Sequence, residues 1–263
     1  MTQPDSTDAY TPAQIAERVE NAGVAKAGLA AVPTLVLGVL AGAFIAFGAV
    51  LYSVVVTESG LGFGPERLLG GLAFSLGLIL VLVGGAELFT GNSLIVFAWA
   101  DRKITSARLL RNWGLVYLGN FVGATATAVM VDWSGIAALG DGAVAATAIG
   151  IAEAKLALAP TEAFVRAILC NVLVCLAVWL CFAARTVTGK ILAIIFPISG
   201  FVTLGFEHSV ANMYLIPAGW LAGSTAVTAT GYGANLLIVT AGNVIGGGVL
   251  VALVYWLVYR GHR

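Results

Sequence analysis

Three ionisable side chains sit in stretches of sequence otherwise too apolar to hold them: Glu87, Glu207 and His208. A titratable group at membrane depth is costly and marks a path for ions or protons by default. His208 is the only histidine in those stretches, the other being His262 near the C-terminal end. Its unperturbed pKa of about 6.5 lies near cellular pH, which makes it a candidate proton donor. Bonded to a neighbouring Asn or Thr, it would instead be a satisfied structural histidine. The two glutamates admit a relay or ion-ligand role, or capping, in which a carboxylate accepts orphan N–H groups at the start of a helix. One role occurring twice suits capping better. Lys155, within Glu153-Ala154-Lys155-Leu156-Ala157, is either a solvated loop lysine or a positive charge drawing anions to a pore mouth. No metal-ligand spacing, phosphate-binding loop or nucleophile-and-base set occurs, so no cofactor is implied. Cys170, Cys175 and Cys181 share one apolar run and read as small core- or lipid-facing residues, outside any disulfide framework.

The elements that hold these groups follow from composition. The chain has 263 residues, 60% of them hydrophobic and 10% charged, with 13 Lys+Arg balanced by 13 Asp+Glu and a mean hydropathy of +0.98. An average soluble domain is about 45–50% apolar and about 25% charged. So few charges exclude an ordinary cytosolic enzyme and a disordered chain, and the missing basic patch excludes a nucleic-acid binder. A polytopic, all-α membrane protein remains. Six stretches are long and apolar enough to cross a bilayer core of about 30 Å: 33–56, 68–100, 114–131, 163–184, 191–221 and 236–259. With both termini on the cytoplasmic side, ten of the 13 cationic residues lie inside, leaving Arg67, Lys155 and Arg166 outside, as the positive-inside rule asks.

Residues 1–30 form an N-terminal segment and residues 31–260 a single six-span domain. Within the segment, Thr11 with Gln14 matches a capping box and Pro12 suits a first helical turn, so residues 11–28 read as an interfacial helix. Residues 1–10 are expected to be disordered. The first thirty residues are polar before the first apolar run, the wrong order for a cleavable signal peptide. The stretch 132–160, rich in Ala and Gly, reads as a long ordered loop at a membrane face.

The second and fifth spans are too long for a straight crossing. At 1.5 Å per residue each would reach nearly 50 Å. Each carries helix-poor residues in its middle: Gly84-Gly85-Ala86-Glu87-Leu88-Phe89-Thr90-Gly91-Asn92-Ser93 and Gly205-Phe206-Glu207-His208-Ser209-Val210-Ala211-Asn212. Both read as broken helices, with irregular backbone that survives only where it is buried in protein or lines a cavity. The breaks match. Glu87 to Glu207 is 120 positions, as is Asn92 to Asn212, and Gly119-Asn120-Phe121-Val122-Gly123 recurs as Gly242-Asn243-Val244-Ile245-Gly246, 123 positions on. A duplicated three-span unit, its second copy inverted because three is odd, points to a permeation site near the midplane.

Glu87-Leu88-Phe89-Thr90-Gly91-Asn92, the two Gly-Asn motifs, Asn171-Val172-Leu173-Val174-Cys175 and Gly205-Phe206-Glu207-His208-Ser209-Val210-Ala211-Asn212-Met213 together resemble the formate/nitrite transporter family, in order over roughly residues 10–260. The resemblance implies an aquaporin-like fold in the inner membrane, a homopentamer with one pore per protomer, and passage of small monovalent anions such as formate or nitrite. It implies that His208 is the central pore histidine near Thr90 and Asn171, and that the loop Leu88-Phe89-Thr90 interrupts the second span. It further implies that Phe74 and Leu78 line one hydrophobic constriction and Phe201 the other, that Lys155 flanks the outer mouth, and that the N-terminal helix lies at the cytoplasmic entrance. The stretches 111–120 and 174–179 look most like formate channels. By composition alone Phe74, Leu78 and Phe201 are ordinary membrane residues, and a hydrosulfide channel, a neutral-solute channel or a non-transporting scaffold are the competing readings.

Overall fold

The computed structural model describes residues 8–261. His262 and most of the stretch expected to be disordered lie outside the described residues. Tyr10 is anchored: its N–H donates to the Ala183 carbonyl at 3.0 Å, and its ring lies between the guanidinium groups of Arg18 and Arg185, 4.1 and 4.0 Å from its centroid.

The described chain is helical throughout its regular structure. Helix α1 runs over Pro12–Gly28, α2 over Ala31–Val56 and α3 over Phe63–Gly84. A 3-10 turn, Gly91–Leu94, leads into α4, Ile95–Ala100, and α5 covers Ser106–Trp133. Then follow α6 (Ala143–Leu156), α7 (Pro160–Ala183), α8 (Val187–Thr203) and α9 (Ser209–Leu221). Finally α10 (Ala229–Val244) continues through a π-helical stretch, Ile245–Leu253, into α11 (Val254–Tyr259). Five helices are long and apolar enough to cross a membrane: α2, α3, α5, α7 and the continuous stretch Ala229–Tyr259.

Local chemistry sets the ends. Thr11 and Gln14 form both bonds of the capping box on α1, and Thr105, Thr186 and Thr228 cap α5, α8 and α10 with their hydroxyls. Helix α3 stops at Gly85 (φ 86°) and α8 just before Gly205 (φ 70°), both left-handed, a conformation that favours glycine. After α8 the Gly205 N–H bonds to Val202 O and the Phe206 N–H to Phe201 O, the pair of bonds of a Schellman motif. The stretch expected as a long loop, 132–160, contains α6. Its Ala-rich run is a strong helix former, and Gly142 starts it with φ 91°.

Helix α2 packs on α3 and α5, α3 on α8, α7 on α8 and α10, and α6 on α9. A side chain on Gly123 would run into the Val39 carbonyl, so α2 and α5 meet backbone to backbone. One face of α1 (Ile15, Val19, Gly23, Ala27) is buried against α4. The main core gathers Ala41, Ile45, Phe74, Leu78, Val174, Ile194, Phe201 and Met213 around the two interruptions at 85–90 and 204–208.

Candidate functional site

The two interruptions come face to face. His208, in extended backbone, is the residue before α9, and its Nδ1 accepts the Ala211 N–H at 3.0 Å. A backbone N–H can only donate, so Nδ1 carries no proton. In the neutral ring the proton is then on Nε2, which donates to Thr90 Oγ1 at 2.9 Å. The imidazole also stacks on Phe201, centroids 5.9 Å apart and planes at 18°. Asn171, from α7, holds the Thr90 end. Its Nδ2 donates to Thr90 O (3.2 Å), Ser93 Oγ (3.1 Å) and Asn243 O (2.6 Å). All three residues are buried, and so are Asn171 Oδ1 and Ser209 Oγ, which have no partner among the described residues.

Cavities approach this centre from opposite ends of α3 and α7. One, about 160 Å³, is lined by Arg18, Lys26, Leu78, Leu88 and Lys190. The other, about 440 Å³, is lined by Tyr52, Phe74, Lys155, Phe201, Glu207 and His208. The apolar residues therefore group differently from expectation. Phe74 sits with Phe201, ring centroids 5.6 Å apart at 83°, whereas Leu78 faces the other cavity with Leu88. Phe74 and Leu78 are four residues apart on α3, so a helical turn separates them along the path.

Each interruption is held by a corresponding set of bonds, with one more at the first, where Lys26 Nζ also donates to Asn92 Oδ1 at 3.0 Å. At the first, Glu87 takes Lys26 Nζ at 2.6 Å and Asn92 Nδ2 at 2.7 Å. Asn92 Nδ2 also donates to Asn112 Oδ1 (2.9 Å), and Asn112 returns to Lys26 O (3.2 Å). At the second, Glu207 takes Lys155 Nζ at 2.9 Å and Asn212 Nδ2 at 2.7 Å. Asn212 Nδ2 reaches Asn235 Oδ1 (2.8 Å), and Asn235 returns to Lys155 O (3.4 Å). The Gly-Asn motifs complete the pattern. Asn120 bonds Gly38 O, Glu87 O and the Phe89 N–H; Asn243 bonds Ala167 O, Glu207 O and the Ser209 N–H.

These contacts revise two sequence readings. Glu87 and Glu207 accept side-chain N–H groups, with no backbone N–H among their hydrogen bonds in the described residues; the cap of α9 is His208 itself. A carboxylate on a helix-poor break meets whichever donors the neighbouring helices bring, and here these are a lysine and an asparagine. Lys155 is also not a loop residue in solvent. It ends α6, its side chain is 14% exposed, and its charge faces Glu207.

Several contributors escape a reading by residue type. Lys26 pairs with Glu87 across 61 positions, and Asn112 and Asn235 are unremarkable on their own helices. The signal available in the sequence is a common offset: Asn112 precedes Asn235 by the same 123 positions that separate Asn120 from Asn243. Arg67 donates to Val202 O and Thr203 O, both at 3.1 Å, at the end of α8, where Val202 O also takes the Gly205 N–H.

Among known proteins, the sequence profile of the formate/nitrite transporter family matches residues 13–257. The formate channel FocA of Escherichia coli (strain K12) is 40% identical over 271 residues, covering 96% of this chain and 95% of that protein. Two solved structures are similar. An "FNT family ion channel" superposes with a TM-score of 0.85 at 31% identity, covering 93% of this chain and 98% of that one. A "pentameric formate channel with formate bound" does so with a TM-score of 0.81 at 38% identity, covering 87% and 97%.

Proposed function

We propose that this chain, which belongs to the formate/nitrite transporter family, is a multi-pass membrane channel for small monovalent anions, formate foremost. The observation that carries this reading is a single buried polar contact, His208 to Thr90, between two cavities that open at opposite ends of the same helices. Next to this contact the path is flanked by the apolar side chains of Phe74, Phe201, Leu78 and Leu88. A bare anion entering such a place loses hydration at a cost of several kcal/mol. A lysine at the inner end of each cavity, Lys26 and Lys155, offsets part of that cost. Beyond them, Thr90, Asn171 and His208 supply the hydrogen bonds, and a proton from His208 would remove the anion's charge at the driest point.

The architecture that goes with this function has six crossings. Helices α3 with α4, and α8 with α9, each make one interrupted crossing, and the second half of the chain is an inverted copy of the first. The duplicated Lys–Glu–Asn–Asn network supports this reading. It also widens the repeat, because Lys26 and Lys155 make α6 the counterpart of α1 at the opposite face. The domain is 31–260, with 1–30 as its N-terminal segment, both ends are cytoplasmic, and the membrane is the inner one. Five copies assemble, as in the similar structure described as pentameric. Native mass spectrometry of the detergent-extracted protein is expected to give five-copy particles as the main species; monomers or tetramers would count against it.

The function is tested by swelling or flux in proteoliposomes. Formate is expected to enter fastest, nitrite to follow, and glycerol to stay at the rate of empty vesicles. Rapid glycerol entry would favour a neutral-solute channel instead. Lys155→Ala is expected to slow formate entry roughly three- to tenfold at low and high salt alike, because it leaves Glu207 as an unpaired buried carboxylate beside the path and a largely buried charge is little screened. If the Lys155→Ala/Glu207→Gln pair restores full rate, the lysine serves only to neutralise Glu207.

A further inference from the structure

The site described above uses neither the turn between α4 and α5 nor the last helix, and a groove of about 700 Å³ lies between them. Its wall carries Trp99, Arg102, Lys103, Arg108, Leu253 and Trp256. We propose that this groove binds the phosphodiester headgroup of an anionic phospholipid from the leaflet on the side of the chain termini. The inference rests on the membrane reading of the chain but not on what passes through the pore.

Three observations converge. Two of the three cations are uncommitted and the third is only loosely paired. Arg102 and Arg108 are exposed, and their side chains make no hydrogen bond or ion pair among the described residues. Lys103, its side chain 53% exposed, lies 4.0 Å from both Glu20 and Asp101, beyond hydrogen-bond length. The two carboxylates near Lys103 are already engaged elsewhere: Asp101 Oδ1 accepts the Trp256 indole N–H at 3.2 Å, and Glu20 Oε2 lies 3.0 Å from Arg260 Nε. Second, the indoles are pinned. Trp99 donates to Ser106 Oγ at 2.9 Å, so both rings are oriented by the protein next to the cations, and tryptophan is the residue type enriched at the headgroup level of membrane proteins. Third, exposed apolar side chains follow the same segment that carries Leu253 and Trp256: Leu250 in the π-helical stretch and Val254 and Leu257 on α11 are 48%, 49% and 56% exposed.

This combination selects a lipid over a soluble anion. A phosphate alone would use the three cations, but nothing in it would use the indole pair or the apolar strip below. Basic pockets between helices at the cytoplasmic face take anionic headgroups in this way. The Glu20 carboxylate, 3.0 Å from Arg260 Nε, ties α1 to the same corner, so a headgroup on Lys103 would sit next to the helix that roofs the inner cavity.

The experiment is native mass spectrometry of the intact, delipidated oligomer titrated with dioleoyl phosphatidylglycerol or dioleoyl phosphatidylcholine. Phosphatidylglycerol is expected to bind more tightly, and Arg102→Gln/Arg108→Gln to weaken it at least about tenfold while phosphatidylcholine is unchanged. Arg102→Lys/Arg108→Lys should keep most of the preference. Formate flux in vesicles verifies that the variants assemble. Equal phosphatidylglycerol binding by the wild type and the Gln variant overturns the proposal. So does displacement of the lipid by an equal concentration of inorganic phosphate, which would make the groove a soluble-anion site. Dissociation of the Gln variant into monomers with lipid binding intact would make the groove a subunit contact, and equally overturns it.

Discussion

Replacing His208 with asparagine is expected to leave the protein assembled and to reduce proton-coupled formate uptake roughly ten- to hundredfold, the loss of one hydrogen bond to a charged partner of about 1.5–3 kcal/mol. The variant separates the two jobs of the ring. Asparagine is among the preferred N-cap residues. Its Oδ1 falls near the place of Nδ1 and still receives the Ala211 N–H that caps α9. It is too short to reach Thr90 Oγ1, which His208 meets at 2.9 Å, and it cannot titrate near neutral pH. The same geometry couples charge to structure in the wild type. A second proton on the ring would have to go to Nδ1, where it would face the Ala211 N–H, so charging the ring would cost the hydrogen bond that caps α9. Uptake driven by a pH gradient, without a formate gradient, is the measurement. If an assembled His208→Asn protein keeps full uptake and an unaltered pH profile, the histidine is a structural cap and no proton donor.

Asn243→Ala is expected to be the most damaging single truncation outside the pore centre. The side chain donates to Ala167 O at 2.8 Å and Glu207 O at 3.0 Å and accepts the Ser209 N–H at 2.9 Å. The residue is fully buried, so no water replaces these partners. Three backbone groups left unpaired cost about 1–3 kcal/mol each, or roughly 3–9 kcal/mol in total. For a chain of this size that lowers Tm by about 10 °C or more, or prevents assembly altogether. Asn120→Ala should behave alike, since Asn120 makes the corresponding three bonds at the first interruption. Asn235→Ala, at the edge of the network, should cost far less. A thermal-unfolding midpoint for Asn243→Ala within about 2 °C of the wild type would show that the interruption does not depend on this asparagine.

How much of this was legible beforehand follows the range of the interactions. Composition places the chain in a membrane, because too few charges exist to cover a soluble surface. Helix ends were legible where one or two residues decide them, as with Thr11 and Gln14 at α1 or Gly85 and Gly205 at the interruptions. The recurrence of Glu-to-Asn and Gly-Asn spacings located the residues that hold those interruptions. The partners were not legible. Thr90 and His208 are 118 positions apart, and Lys26 and Glu87 are 61 apart. Nothing local to either member chooses the other; the docking of α1 on α4 and of α6 on α9 does. The same reason explains Lys155, which by its neighbours is either a solvated lysine or a charge at a pore mouth and by the packing of α6 is a buried ion-pair partner. It also explains why Phe74 groups with Phe201 rather than with Leu78: four residues apart on α3 they share one face a turn apart along the axis, and only the neighbouring helices determine where between them the two cavities divide.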